Sequence, residues 1–242
     1  SKIEELMKLV EKIIRKTLDL VRKHAEVSKE VLKEYIRISK EHLDVSKRVA
    51  EELKKEIEVK RLLEEVERVA KKVVETNKRN IETVERVLED IKRTNTELLK
   101  RIEDVLREAV RVAEVLRRGD SDKEEVVRRI KELLKELLKV IREVVEKDKR
   151  LLDELLKSNA DVVRTDEELL RRLLRVVERD VERKEDLDRI RDTLRRVIER
   201  SKRIHDRLRE MLEEVKRRSE EIVERIEREL RDVARKLEET LR

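Results

Sequence analysis

Apolar residues recur at seven-residue spacing along almost the whole chain. At its start Ile3, Val10, Val31, Ile38 and Val45 share one heptad row, and Leu6, Ile13, Leu20 and Val27 stand three places on. Two such rows make an a/d seam. Met7, Ile14, Val21 and Val49 add a third apolar position per heptad. That wider stripe suits a helix with two neighbours rather than a two-stranded coil.

Breaks in the pattern divide the chain. Between Lys54 and Arg61 the expected core places are charged, which predicts a tight turn. The seam then resumes through Leu63, Ala70, Asn77, Val84, Ile91, Leu98, Val105 and Val112, flanked by Val74, Ile81, Leu88, Asn95, Ile102, Ala109 and Leu116. It ends at Gly119, the only glycine in 242 residues, in a chain without proline. A glycine just after the last apolar position is the usual left-handed cap. Ser121 or Asp122 can then cap the next helix, with Glu124 and Glu125 in its first turn. A third helix carries Ile130, Leu134, Leu137, Ile141, Val144, Leu151, Leu155, Val162, Leu169, Leu173 and Val177, and it blurs across 182–186. A fourth runs from Leu187 to Leu237.

These elements predict an all-α fold, an up-down-up-down antiparallel four-helix coiled-coil bundle. Each helix has about 57 residues and is about 85 Å long at helical rise. The uniform composition predicts a single domain over 1–242, with hairpins 1–118 and 122–242 joined by a turn at 119–121 and inner turns near 56–59 and 181–185.

Uncharged polar residues interrupt the seams. In an antiparallel hairpin, residues at one height have numbers adding to a constant, about 115, 239 and 365 for the three turns. These relations set Tyr35 opposite Asn80, Asn80 level with Asn159, and Ser158 and Asn159 level with His205. They also set His24 near Thr94 and Asn95, and Asn95 within a turn of Asp148. Two polar layers result. One holds Tyr35, Ser39, His42, Asn77, Asn80, Ser158, Asn159, Ser201 and His205; the other holds His24, Ser28, Thr94, Asn95, Asp148 and Ser219. Turns drawn instead at 44–46 and 165–166 scatter the same residues to unmatched heights. Thr17 is a further polar seam residue outside both layers. A buried polar group without a partner costs roughly 1–3 kcal/mol, so the layers are expected to pair internally.

Charged residues make up 53% of the chain, with 67 Lys and Arg against 61 Asp and Glu. That fraction would suit a disordered chain, but strictly periodic apolar residues argue for a folded one. The signs alternate, as in Glu224 to Glu229, so no basic stripe is evident, and the chain has one tyrosine with no tryptophan or phenylalanine. Nucleic acid is therefore not an expected partner, nor is a membrane surface. No apolar run approaches the roughly 20 residues of a membrane span, and a soluble protein is expected. The absence of cysteine excludes disulfides and thiolate chemistry.

Glycine- and proline-poor heptad helices, Asn/Ser/Thr/His clusters at matched heights, Glu/Lys/Arg-saturated surfaces and a Gly-Asp-Ser-Asp turn resemble computationally designed helical bundles with buried hydrogen-bond networks. The resemblance implies a structural scaffold whose polar layers fix helix pairing and register, without natural enzymatic activity. The alternative is an interaction module in which two hairpins bind each other or exchange between chains about Gly119.

The sequence supplies little for catalytic or metal chemistry. Ser201, His205 and Asp206 supply the residue types of a hydrolytic triad, but Asp206 follows His205 directly and points elsewhere on the helix. His42 and His205 fall near one layer, yet Val21, Ser39 and Lys202 stand where a Glu-x-x-His di-metal motif needs glutamate. His24 lies 18 residues before His42, about 27 Å along a helix, so three histidines cannot share an ion. The expectation is two imidazoles in a satisfied network, with no metal, no cofactor, no small-molecule ligand and no partner beyond a second copy of the chain.

Overall fold

The computed structural model describes residues 2–119 and 122–241, with side chains described over 4–119 and 122–239. Four helices account for nearly all of it: α1 (Lys2–Glu56), α2 (Lys60–Arg117), α3 (Lys123–Asp180) and α4 (Lys184–Leu241). They pack against one another as an all-α four-helix bundle, and no strand occurs among the described residues. The helices are 55, 58, 58 and 58 residues long. Good helix formers fill their surfaces, and ion pairs one turn apart reinforce them, as where Arg37 bonds both Glu34 and Glu41.

The helix ends follow from local chemistry. Gly119 adopts φ of 72°, a conformation that carries a steric penalty for any residue with a Cβ. Its N–H donates to the Leu116 carbonyl at 3.1 Å and closes the last turn of α2. Asp122 precedes α3, and its carboxylate accepts from the Glu124 N–H at 3.4 Å while its carbonyl accepts from Val126. Asp122 is thus the N-cap; the capping expectation at Ser121 lies outside the described residues. The inner connections at 57–59 and 181–183 use no left-handed residue. Burial of Ile57 holds the first, and Val181 packs against the same core under the second.

The chain divides into two compact units by backbone proximity, each assembled from a segment of every helix. Unit 1 comprises residues 1–29, 89–151 and 215–242; unit 2 comprises 30–88 and 152–214. Unit 1 is centred on Ile14, Ile102, Ile130, Leu137, Ile141 and Ile226, all fully buried. Unit 2 has an apolar cluster around Leu62, Val66, Leu173, Val177, Ile190 and Leu194. Each fully buried Leu or Ile contributes roughly 1.5–3 kcal/mol.

One row differs from the expectation. On α1 the supposed flanking row is the deeper one: Met7, Ile14 and Val21 are buried, whereas Leu6, Ile13 and Leu20 are half-buried. A residue aimed at the bundle interior is covered from both sides, while one aimed at a single neighbour keeps an edge in water. The same row continues through Ser28, Tyr35 and His42, all buried, so the polar residues of α1 occupy its deepest positions.

Candidate functional site

The richest polar cluster lies in unit 2, and each helix contributes to it. Ser158 donates its hydroxyl to the Asn80 side-chain carbonyl at 2.8 Å, and the Asn80 amide donates to the Tyr35 hydroxyl at 3.4 Å. Tyr35 donates in turn to Asn159 Oδ1 at 3.4 Å, and Asn159 Nδ2 donates to the His205 backbone carbonyl at 3.2 Å. The Asn159 amide is thereby oriented with its oxygen toward His205, whose Nδ1 lies 3.1 Å from that oxygen. An amide oxygen can only accept, so His205 Nδ1 carries a proton, and in the neutral imidazole that tautomer leaves the lone pair at Nε2.

Beside this run stands Asp166, 1% exposed. Asn77 donates one amide proton to Asp166 Oδ2 at 3.0 Å and the other to the Val73 carbonyl at 2.8 Å. Asp166 Oδ2 also lies 3.7 Å from His205 Nε2. The His42 ring meets the His205 ring edge-on, with centroids 5.3 Å apart and planes at 87°. One donor atom each from His42, Asp166 and His205 falls within 4.8 Å of the others. Burial pushes the His42 pKa down to about 4, helped by the neighbouring His205 and by Arg200 and opposed by Asp166. Burial likewise pushes the Tyr35 phenol up to about 12, with the Asn80 hydrogen bond acting the other way.

Three polar atoms at the centre of this cluster lack any hydrogen-bond partner among the described residues: His42 Nδ1, His205 Nε2 and Asp166 Oδ1. The expectation that both imidazoles are fully satisfied therefore fails at these atoms. The Ser39 hydroxyl is also buried without a partner; Ser201 is buried nearby, and Ser158 is half-buried. Asp206 is exposed and pairs with Arg209 at 3.8 Å, so the Ser201, His205 and Asp206 set is not assembled.

The polar residues of unit 1 are sparser. His24 Nε2 and the Ser219 hydroxyl are 2.8 Å apart, and Ser219 also donates to the Val215 carbonyl at 2.9 Å. With that single hydroxyl proton committed to Val215, His24 donates through Nε2–H. Burial, then the Arg218 cation, pushes the His24 pKa down to about 4. Burial pushes Asp148 up to about 7, against the opposing effects of Lys147 and of Asn95 beside it. The contact with Asn95 is not a well-formed hydrogen bond, since Asn95 Nδ2 and Asp148 Oδ1 both lack a partner of normal geometry. Thr94 is buried; the hydroxyls of Ser28 and Thr17 are buried and unpartnered.

Asp166 is the residue that sequence reasoning missed. It lies seven residues past Asn159 on the row Val145, Leu152, Asn159, Asp166 and Leu173, each of them buried. An acid on an otherwise interior row was the available signal, and a surrounding sequence rich in acids hid it. Among the described residues, no helix is long and apolar enough to cross a membrane. Compared with known proteins, the chain matches no protein-family model, no curated protein and no solved structure.

Proposed function

We propose that the chain is a designed structural scaffold whose buried polar residues specify which helices pair and in what register. The observation that carries this reading is the run of hydrogen bonds from Ser158 through Asn80, Tyr35 and Asn159 to His205, which joins side chains of all four helices. Sliding one helix by a turn would separate these partners and leave buried amides and a phenol unpaired. Each such group is penalised by roughly 1–3 kcal/mol, so misaligned pairings lose more than an all-leucine core would lose. The apolar core supplies the stability, and the polar cluster supplies the choice among arrangements.

The test compares the chain with a variant carrying Tyr35→Phe, Asn80→Leu, Ser158→Ala and Asn159→Leu. Light scattering over a concentration series should give the parent a constant mass near 29.3 kDa. The variant should stay helical yet populate several masses. A variant with the same single mass and the same sharp spectra as the parent would remove the pairing role. A parent whose mass rises with concentration would favour exchange of hairpins between chains instead.

A further inference from the structure

We propose that His42, Asp166 and His205 bind one divalent transition-metal ion of the zinc class, through two imidazole nitrogens and one carboxylate oxygen, with a fourth position open to water. Two histidines and one carboxylate plus a solvent ligand is a donor set that zinc takes in tetrahedral sites, and imidazole favours such ions over magnesium or calcium.

Five features converge on this site. The unpartnered buried atoms there are one nitrogen of each imidazole and one carboxylate oxygen. Native interiors rarely leave such atoms unpaired without a water or an ion to take them, and here all three are potential metal donors. The separations also suit an ion. Metal bonds of about 2.0–2.1 Å in a tetrahedron hold donor atoms about 3.3 Å apart, so atoms already within 4.8 Å close on an ion by shifts of about 1 Å.

The surroundings orient the ligands as a metal site requires. His205 Nδ1 donates to Asn159 Oδ1 at 3.1 Å, which aims the Nε2 lone pair at Asp166, and Asn77 holds the carboxyl through Oδ2. A hydrogen bond from the far ring nitrogen to a carbonyl is the usual support of a metal-bound histidine. Charge agrees: Asp166 is 1% exposed, and the basic side chain that approaches its carboxylate among the described residues is an imidazole rather than a Lys or Arg.

Space completes the case. A cavity of about 40 Å³ adjoins His42, Asp166 and Ser201; a water needs roughly 10–15 Å³. A separate groove of about 510 Å³, lined by Asn159, Glu167, His205 and Arg209, borders His205. His24 belongs to the other unit and takes no part.

The inference does not depend on the pairing role, and its test reads metal rather than mass. The full chain, stripped with chelator, is titrated with zinc by calorimetry and with cobalt(II) by visible spectroscopy. One ion per chain, tetrahedral cobalt bands, and no response to magnesium at the same concentration are expected. Asp166→Asn should weaken zinc binding by at least about 100-fold, and Asn159→Leu, which removes the bond that orients the His205 ring but leaves all three ligands in place, by about 10–100-fold. His24→Leu should bind as the parent does. Circular dichroism checks that the variants fold. Should either fail, anomalous diffraction from zinc-soaked crystals of the parent decides, with a peak among His42, Asp166 and His205 expected. Less than one ion per chain, unchanged affinity in folded Asp166→Asn, loss of binding in His24→Leu, or a peak elsewhere would overturn the proposal.

Discussion

His24 and Ser219 are joined by a 2.8 Å hydrogen bond that holds α1 to α4 in unit 1, and the imidazole in it is neutral at pH 7. Its pKa falls from 6.5 to about 4 on folding, so between those values the unfolded chain binds the proton more tightly. The His24 contribution is fully present above 6.5 and is lost as pH falls toward 4, a total on the order of 3 kcal/mol. Asp148, in the same unit, has the opposite sign. Its pKa rises from 3.8 to about 7, so its contribution is fully present below 3.8 and is lost as pH rises through 7, on the order of 4 kcal/mol in all.

Between pH 7.5 and pH 5 the two therefore oppose each other. Relative to the parent, His24→Gln should gain about 2 kcal/mol on acidification, and Asp148→Asn should lose about 3 kcal/mol. His42, also held near 4, is common to all three proteins and cancels from the comparison. Groups unchanged among the three proteins cancel in the same way. Denaturant unfolding at the two pH values measures the differences; equal shifts in all three proteins would remove both assignments.

Tyr35 is a second test of the interior. Its hydroxyl accepts from Asn80 and donates to Asn159, both at 3.4 Å, long enough that neither bond is strong. Tyr35→Phe leaves the Asn80 amide without that acceptor, so a loss of about 1–2 kcal/mol is expected, below the 2–5 kcal/mol expected for Ile14→Ala in a fully buried apolar site. In an Asn80→Leu background the same change should do less, because the group it would orphan is gone. A double-mutant cycle with coupling under about 0.3 kcal/mol would show that the contact contributes nothing.

The four helices and their order were legible because one period runs through each seam and fails at the turns. Heights were legible too, since antiparallel geometry ties residue number to position: Tyr35 meets Asn80, Asn80 meets Ser158, and Asn159 meets His205. Two things were not legible. Asp166 was one acid among 61 Asp and Glu, and only its place on the row of Leu152 and Asn159 marks it as interior. Whether a buried hydroxyl finds a partner depends on rotamers and on spacings of a fraction of an ångström, which residue types do not encode. Ser219 and Ser28 occupy equally buried seam places, yet one is bonded and the other is not.

Gly119 isolates a backbone effect from packing. Nothing lies within 4 Å of where a Cβ would stand, so any penalty for substitution comes from its left-handed φ of 72° alone. Gly119→Ala should destabilise by about 1–2 kcal/mol, and Gly119→Asn by less, since asparagine tolerates that region better. Gly119→Val should be worse than either, because a β-branched side chain fits that conformation least. Thermal melts of the three variants give the order, and equal melting points would contradict the left-handed cap.

Thr17 reverses the usual direction of a core substitution. It is 1% exposed in α1, and its hydroxyl meets no donor or acceptor among the described residues, although a helical threonine can often reach the carbonyl four residues back. Valine has nearly the same shape without the polar atom, so Thr17→Val keeps the packing and removes an unpaired group. A gain of about 1 kcal/mol is expected. Ser219→Ala makes the opposite case, because it removes the acceptor that His24 Nε2 uses and should destabilise by about 1–2 kcal/mol. Both variants are read by denaturant unfolding at pH 7.5. A Thr17→Val protein less stable than the parent would mean that the hydroxyl has a partner after all, a bound water being the first to look for at high resolution.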